Sequence, residues 1–412
     1  MQTETAGSVE SFDVVVIGGG PAGATAAFES ARLGHRTLLL DRAGRIKPCG
    51  GAVPPQLIAD FDIPPHLIVA HISAARMVAP SGKRVDMPVG NGFVGMVDRE
   101  QFDEWLRVRA VEAGAVRRTG TFQQIDRDED GVAIIRYAAG ASRFGTPEAV
   151  RARMIIGADG ALSAVARQEI PSAKAAKHVF AYHEIVRSPV RENPGLDGDG
   201  FDSTRCDVYY QGQLSPDFYA WIFPHGATTS VGTGSLQKGF GLRAAVAQLR
   251  ADTDLTDSET LRREGAPIPL KPLPRWDNGR DVVIAGDAAG VVAPASGEGI
   301  FYAMTGGRYA AEAVSQALAA RSPRECASAL RAYRRRYLGE HGQVFRILGI
   351  MQRFWYSSDK RRERFVKICE DPDVQRLTWD AYMNKRLVRA KPIAHLRIFI
   401  KDMRHLLGLA EA

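Results

Sequence analysis

Apolar and polar positions divide the chain into three styles. The first is that of strand and helix in alternation. Phe12-Asp13-Val14-Val15-Val16-Ile17 is an apolar, β-branched run of strand type. A helical pattern follows over about residues 21–33, and Arg36-Thr37-Leu38-Leu39-Leu40 reads as a second strand. Met154-Ile155-Ile156-Gly157 and Asp281-Val282-Val283-Ile284-Ala285 repeat the buried-strand style further on. Between these runs, residues 74–97 alternate weakly and are broken by Pro80, Ser81-Gly82 and Pro88, which predicts short strands and turns. Asp98-Arg99-Glu100-Gln101 predicts a helix start, with Asp98 as cap and Gln101 reaching back. Phe102, Leu106 and Arg109 then share one face, and Ala113-Gly114-Ala115 ends that helix. Residues 121–137 predict a hairpin around Asp128-Glu129-Asp130-Gly131.

The second style covers residues 172–271. Short strand candidates recur there between glycine and proline breaks, as in Asp207-Val208-Tyr209-Tyr210 and Phe218-Tyr219-Ala220-Trp221-Ile222-Phe223, and predict an antiparallel sheet. The third style is helical. A long helix opens at Gly297-Glu298-Gly299-Ile300 and runs to about residue 320. Ser322-Pro323-Arg324-Glu325 is a capping box that begins another helix.

Glycines mark where this pattern carries chemistry. The first strand ends in Gly18-x-Gly20-x-x-Gly23 and enters a helix at once. Gly18 permits the tight turn, Gly20 lets backbone N–H groups approach a pyrophosphate, and Gly23 lets the helix lie close on the strand. Ala22 lies within the turn. Asp41, eighteen residues after Gly23, ends the second strand where an acid takes ribose hydroxyls, and Arg42 follows it. The expected fold is therefore α/β: a Rossmann-like dinucleotide-binding domain with an inserted antiparallel-sheet domain and a C-terminal helical region. The expected bounds are residues 1–80, 97–172 and 273–330 for the first, 81–96 and 173–272 for the second, and 331–412 for the third.

Other positions admit two readings each. Cys49-Gly50-Gly51 is a loop where backbone can approach a ligand, and Cys49 either faces that ligand or is a small buried residue. Arg99, in the first turn of its helix, meets either cofactor or solvent. Asp159, between Ala158 and Gly160, is either a ligand residue or a turn aspartate. Gly286-Asp287 ends the last strand, and the glycines at 290, 297 and 299 leave N–H groups free at the next helix, suited to an electron-rich ring edge. Tyr219, Trp221 and Phe223 either line an apolar cavity or pack a core.

Composition narrows the class. Of 412 residues, 45% are hydrophobic and 25% charged, which is ordinary for a globular protein. No run is long and apolar enough to span a membrane, and the segment before the first strand has no signal-peptide character. The four cysteines are scattered without metal spacing, so no metal is expected and a reduced, cytosolic compartment fits. The net charge of +7 is uneven: residues 331–412 hold 19 Lys/Arg against 9 Asp/Glu, a balance of +10, leaving −3 on the other 330. A basic tail on a near-neutral body suggests an anionic membrane surface or another acidic partner, and no motif supports nucleic acid. Residues 393–409 place Leu396, Ile400, Met403 and Leu407 on one helical face beside Lys391, Arg397, Lys401 and Arg404. That segment reads either as a membrane-lying helix or as a terminal helix packed on the body.

These motifs together resemble the flavoprotein class typified by p-hydroxybenzoate hydroxylase. Within it, Pro48-Cys49-Gly50-Gly51, Tyr219-x-Trp221-x-Phe223-Pro224 and the stretch from Gly286-Asp287 through Ser296-Gly297-Glu298-Gly299-Ile300 resemble the geranylgeranyl reductases. Lys47-Pro48-Cys49-Gly50-Gly51-Ala52-Val53-Pro54 and Phe61-Asp62-Ile63-Pro64 look most like the chlorophyll and bacteriochlorophyll branch. The similarity spans roughly residues 12 to 400.

The resemblance implies FAD, with Asp41 on the adenosine ribose, Asp287 near the ribityl–phosphate region, Arg99 in contact with the cofactor, and Gly299 and Ile300 presenting amides to the flavin ring. It implies reduction of three of the four double bonds of a geranylgeranyl chain, as diphosphate or pigment ester, to phytyl. NADPH is the favoured transient donor, and reduced ferredoxin an alternative. It also implies a cytoplasmic protein peripherally associated with the photosynthetic membrane.

An isolated alkene is not polarised, so hydride must be matched by a proton on the other carbon while positive charge builds on the more substituted one. Aromatic walls at Tyr219, Trp221 and Phe223 suit that charge. Cys49, flanked by Gly50 and Gly51, is the expected proton donor or positioner. Two other functions stay open: a flavin monooxygenase acting on an aromatic or quinone, marked by oxygen uptake, and a non-catalytic prenyl carrier, marked by the lack of yellow colour.

Overall fold

The structure, a computed structural model, describes residues 9–385 apart from 43, 45, 91, 190–199 and 254. β1 (Ser11–Ile17), α1 (Pro21–Arg32) and β2 (Thr37–Asp41) form the expected first unit. β3 (Ala52–Val53), α2 (Pro55–Asp60), β4 (Ile68–Ile72), β5 (Ala74–Val78), β6 (Arg84–Pro88) and β7 (Val94–Val97) follow as short pieces. α3 (Arg99–Glu112) leads into the meander β8 (Val116–Arg127), β9 (Ala133–Ala139) and β10 (Thr146–Gly157), and α4 (Ala164–Glu169) comes next. The inserted segment holds β11 (His178–Arg187), β12 (Arg205–Tyr209), β13 (Ala220–His225), β14 (Thr228–Ser235), α5 (Leu242–Ala251) and β15 (Thr260–Pro269). β16 (Val282–Ile284) returns to the first domain, and α6 (Ile300–Leu318), α7 (Pro323–Trp355), α8 (Asp359–Ile368) and α9 (Pro372–Asn384) complete it.

Three sheets result. In the first, β8, β2, β1, β10 and β16 run parallel, and β9 pairs antiparallel with both β8 and β10. Val14, Val15 and Val16 are fully buried, which is why β1 reads as a continuous apolar run. α1 packs against both α3 and α6. It approaches α6 closely because Gly307 has no side chain: a Cβ there would strike the Ala22 carbonyl group.

The second sheet has the order β15-β11-β14-β13-β12-β5-β6. It is antiparallel except for the parallel pair β12–β5, which the alternation pattern did not distinguish. β3, β7 and β4 make a small third sheet.

Two expected boundaries move. β5 pairs with β12 and β6, so the boundary placed at 80/81 falls inside the β5–β6 hairpin, and the second sheet begins by residue 74. The boundary at 330/331 falls inside α7, a continuous helix of 33 residues. Leu330, Tyr333, Tyr337 and Phe345 of α7 join the core under the first sheet, and Trp355 joins the core under the second. One long helix thus fastens the two halves together, and neither end of it could be read as a domain edge from local polarity. The amphipathic segment 393–409 lies outside the described residues.

Candidate functional site

The turn after β1 is built by missing side chains. Gly18 has φ +104°, and a Cβ on it would collide with the Ala158 carbonyl group. A Cβ on Gly23 would collide with the carbonyl of Gly18. Gly20 differs. It caps α1 with no side-chain cap, and a Cβ on it would meet nothing within 4 Å. The space over the N-terminus of this 12-residue helix is therefore open, with its first N–H groups and dipole directed there. Ala22 is buried and faces Gly286, whose hypothetical Cβ would lie 2.7 Å from it, so it packs the turn against the β16 loop.

Asp41, at the end of β2, lies against Gly19, and Arg107 Nη1 stands 3.5 Å from its carboxylate and 3.1 Å from the Gly19 carbonyl. Arg107 escaped the sequence reading because only the packing of α3 on α1 brings it there. Arg42 is exposed. A bare helix N-terminus with an acid one strand away is the arrangement that holds the phosphates and ribose of a dinucleotide, so these residues fit FAD.

On the far side of the turn, Asp287 follows Gly286 (φ +63°) and receives a 2.5 Å hydrogen bond from Lys47 Nζ. Lys47 is a second residue that the pattern did not single out. Gly299 caps the 19-residue α6 without a side-chain cap, and Ile300, its first residue, is buried. Gly297 (φ +68°) sits in the loop before it. Glu298, between these glycines, is buried in an ion pair with Lys385 just beyond α9, tying the C-terminal region to this loop.

The Asp159 carboxylate is bonded to the start of α4. It accepts from Ser163 Oγ, Ala164 N (2.6 Å) and Val165 N (3.3 Å), closing the first turn of α4, and burial raises its pKa. The side chain is thus occupied by the turn. The helix start at Asp98 is confirmed with a different bond: the carboxylate accepts from Glu100 N at 2.8 Å.

Arg99 meets neither open solvent nor open space. It is buried, forms paired hydrogen bonds of 2.8 and 2.7 Å with Asp103, and reaches Cys49. Burial opposes its charge, but Asp103 and Cys49 outweigh that and hold it a permanent cation. Cys49 Sγ also accepts from Gly51 N at 3.4 Å, so the sulfur faces a guanidinium and an N–H donor. Gly50 lies on Phe223, with a hypothetical Cβ 3.0 Å from the ring. Gly51 (φ +70°) lies against His225, which sequence reasoning missed. Burial pushes the His225 imidazole below its ordinary pKa, which favours the uncharged ring.

Tyr219, Trp221 and Phe223 form a ladder, since residues two apart share one face of a strand. Their ring centroids are 5.9 and 6.0 Å apart. At one end the Tyr219 hydroxyl donates to the Ser296 carbonyl at 2.6 Å, beside Gly297. At the other end Phe223 touches Gly50. The ladder therefore runs from the loop before α6 to the Cys49 loop. Tyr219 and Trp221 are buried in the core under the second sheet, with Phe218, Trp355 and Tyr356, so the packing role is real. Trp379 and Tyr382 of α9, like Phe223 and Cys206, pack against the small core of Ile72, Val89, Val94 and Met96.

Among the described residues no cluster of His, Cys, Asp and Glu could hold a metal, and no helix is long and apolar enough to cross a membrane.

Known proteins match this geometry. A family of FAD-dependent oxidoreductases matches residues 13–184. A geranylgeranyl diphosphate reductase from Rhodobacter capsulatus is 53% identical over 97% of this chain and 98% of its own. One from a Synechocystis species is 34% identical over 96% and 97%. A solved structure from Thermoplasma acidophilum, described as geranylgeranyl bacteriochlorophyll reductase-like, superposes with a TM-score of 0.77 at 22% identity, covering 93% of this chain and 99% of its own. With the glycine turn of an FAD-dependent oxidoreductase and full-length identity of this order, the chain belongs to the geranylgeranyl diphosphate reductase family.

Proposed function

We propose that this chain is an FAD-dependent reductase that saturates isolated double bonds of a geranylgeranyl chain, carried as diphosphate or as a (bacterio)chlorophyll ester. Three of the four bonds are reduced, with NADPH as donor. The observation that carries this reading is the meeting of Cys49, Arg99 and the Tyr219–Trp221–Phe223 ladder between the Gly50-Gly51 loop and the Gly297–Ile300 loop.

Gly18, Gly20, Gly23, Asp41, Gly286 and Asp287 hold the cofactor, and Gly297, Gly299 and Ile300 border its ring. When bound and reduced, FAD supplies the hydride. The chain's own residues do the rest. The ladder excludes water and presents aromatic faces to the carbon that gains positive charge, an interaction worth about 0.5–2 kcal/mol per ring. Cys49 Sγ holds the proton for the other carbon, and Arg99 with Gly51 N fixes where that sulfur sits. His225 borders Gly51, and burial there disfavours a charge on its ring.

The protein associates with an anionic membrane at its helical end. What supports this, besides the basic tail, is a patch on α7 where Ile347 and Ile350, 38% and 61% exposed, lie between the exposed Arg346 and Arg353.

The test is anaerobic. Enzyme reduced beforehand is mixed with geranylgeranyl diphosphate, and the flavin absorbance is followed. Return of the oxidised spectrum without oxygen supports the reading. A spectrum that returns only with oxygen, with a hydroxylated product, assigns the site to monooxygenation.

A further inference from the structure

Trp221 is joined to a chain of polar side chains that crosses the second sheet. Three registers line up: Trp221 of β13 stands opposite Gly232 of β14, Gly232 opposite His183 of β11, and His183 opposite Glu264 of β15. Four adjacent strands thus contribute to one row. The row has a gap at Gly232, where a Cβ would collide with the Trp221 ring and lie 2.6 Å from His183 Cβ. The missing side chain lets the two rings come together, with centroids 6.3 Å apart. Ser230, two residues before Gly232 and so on the same face, joins them. Trp221 Nε1 is 3.0 Å from Ser230 Oγ, His183 Nδ1 is 2.8 Å from the same oxygen, and His183 Nε2 is 3.1 Å from Glu264 Oε2.

Donor chemistry fixes the first bond of this chain. An indole N–H only donates, so Ser230 Oγ accepts it. With the hydroxyl's single proton given to His183 Nδ1, the row runs in one sense. The ring proton then sits on Nε2 and is donated to Glu264. Each bond polarises the next in the same sense, from a carboxylate toward the indole nitrogen. His183 is 3% exposed, and Ser230 is fully buried, so water does not compete.

We infer that Glu264, His183 and Ser230 form a positioning relay, which locks the Trp221 ring and draws its N–H toward negative charge so that its face holds a carbocation better. The inference rests on the reading of Trp221 as a wall of the prenyl site. Arg262 Nε, 3.1 Å from the other oxygen of Glu264, keeps that carboxylate oriented, and burial of Glu264 is outweighed by His183 and Arg262, which hold its pKa below the ordinary carboxylate value.

A double-mutant cycle with the FAD-loaded enzyme tests it, reading kcat and KM for anaerobic saturation of geranylgeranyl diphosphate. Ser230→Ala should lower kcat about 5- to 10-fold, the usual worth of one buried hydrogen bond, with KM little changed. Glu264→Gln, which keeps the shape and removes the charge, should lower kcat by less, in the same direction. In a Trp221→Phe background neither change should lower kcat further, because the indole N–H is gone. Equal losses in both backgrounds would overturn the relay and leave a purely structural role. No loss from Ser230→Ala in an enzyme that Trp221→Phe impairs would also overturn it. Full activity in Trp221→Phe, which keeps an aromatic face but loses the N–H, would overturn the relay alone, whereas full activity in Trp221→Leu would sink the wall reading itself.

Discussion

The turn between β1 and α1 and the row across β13, β14, β11 and β15 are built by opposite means. In the turn, backbone meets backbone, and the glycines are there because a Cβ on Gly18 or Gly23 has no room. In the row, one glycine makes a gap and the chemistry comes from side chains bonded across 9 to 81 residues of chain: Trp221 lies 9 from Ser230, Ser230 lies 47 from His183, and His183 lies 81 from Glu264. The turn has no room for a side chain at Gly18 or Gly23 but can be read from six consecutive residues. Nothing local announces the row.

That contrast orders the expected effects of mutation. Gly23→Val, which drives a side chain into the Gly18 carbonyl, should abolish FAD binding, seen as colourless purified protein with no turnover. Gly20→Ala sharpens the point: its Cβ enters open space, so the thermal midpoint should hold while FAD retention falls. Equal loss of stability in both variants would show that Gly20 is structural too. Next in size is Cys49→Ala, which should keep the flavin spectrum and lose about 100- to 10,000-fold in turnover, the span of a proton-transfer group. Undiminished alkene reduction would remove Cys49 from the mechanism. Trp221→Leu, on the other side of the comparison, should lower kcat roughly 3- to 30-fold, as one cation–π face is worth.

The smallest effect is on stability against pH. The folded-state pKa of Glu264 lies below its unfolded value, so its ionised form stabilises the fold above the unfolded value, and that contribution is lost as pH falls through the folded one. The thermal midpoint of the wild type should exceed that of Glu264→Gln at neutral pH, and the gap should close toward strong acid. A gap independent of pH would show that the charge on Glu264 is immaterial.

The same contrast explains what was legible in the sequence. The α/β class, the inserted sheet and the helical C-terminal region follow from periodicity, because buried parallel strands and amphipathic helices are local patterns. The clustering of Gly18, Gly20 and Gly23 at one turn was legible for the same reason. Arg107 beside Asp41, Lys47 on Asp287 and Lys385 on Glu298 were not, since each reaches its partner only through tertiary packing. Asp159 offered two local readings of equal weight, and only the hydrogen bonds to α4 show that its carboxylate serves the turn. The parallel β5–β12 pair was invisible because 126 residues of chain lie between Val78 and Arg205.

The central claim, that aromatic faces and a cysteine beside the cofactor loops saturate unactivated prenyl bonds, is tested most directly by weighing the product. Reduced enzyme is incubated without oxygen, once with geranylgeranyl diphosphate and once with the geranylgeranyl pigment ester, and the prenyl chain is analysed by mass spectrometry. The account predicts a gain of two hydrogens for every bond saturated, ending at the phytyl chain, on at least one of the two. Recovery of both substrates at their starting mass, from enzyme that is yellow and reducible, would contradict it.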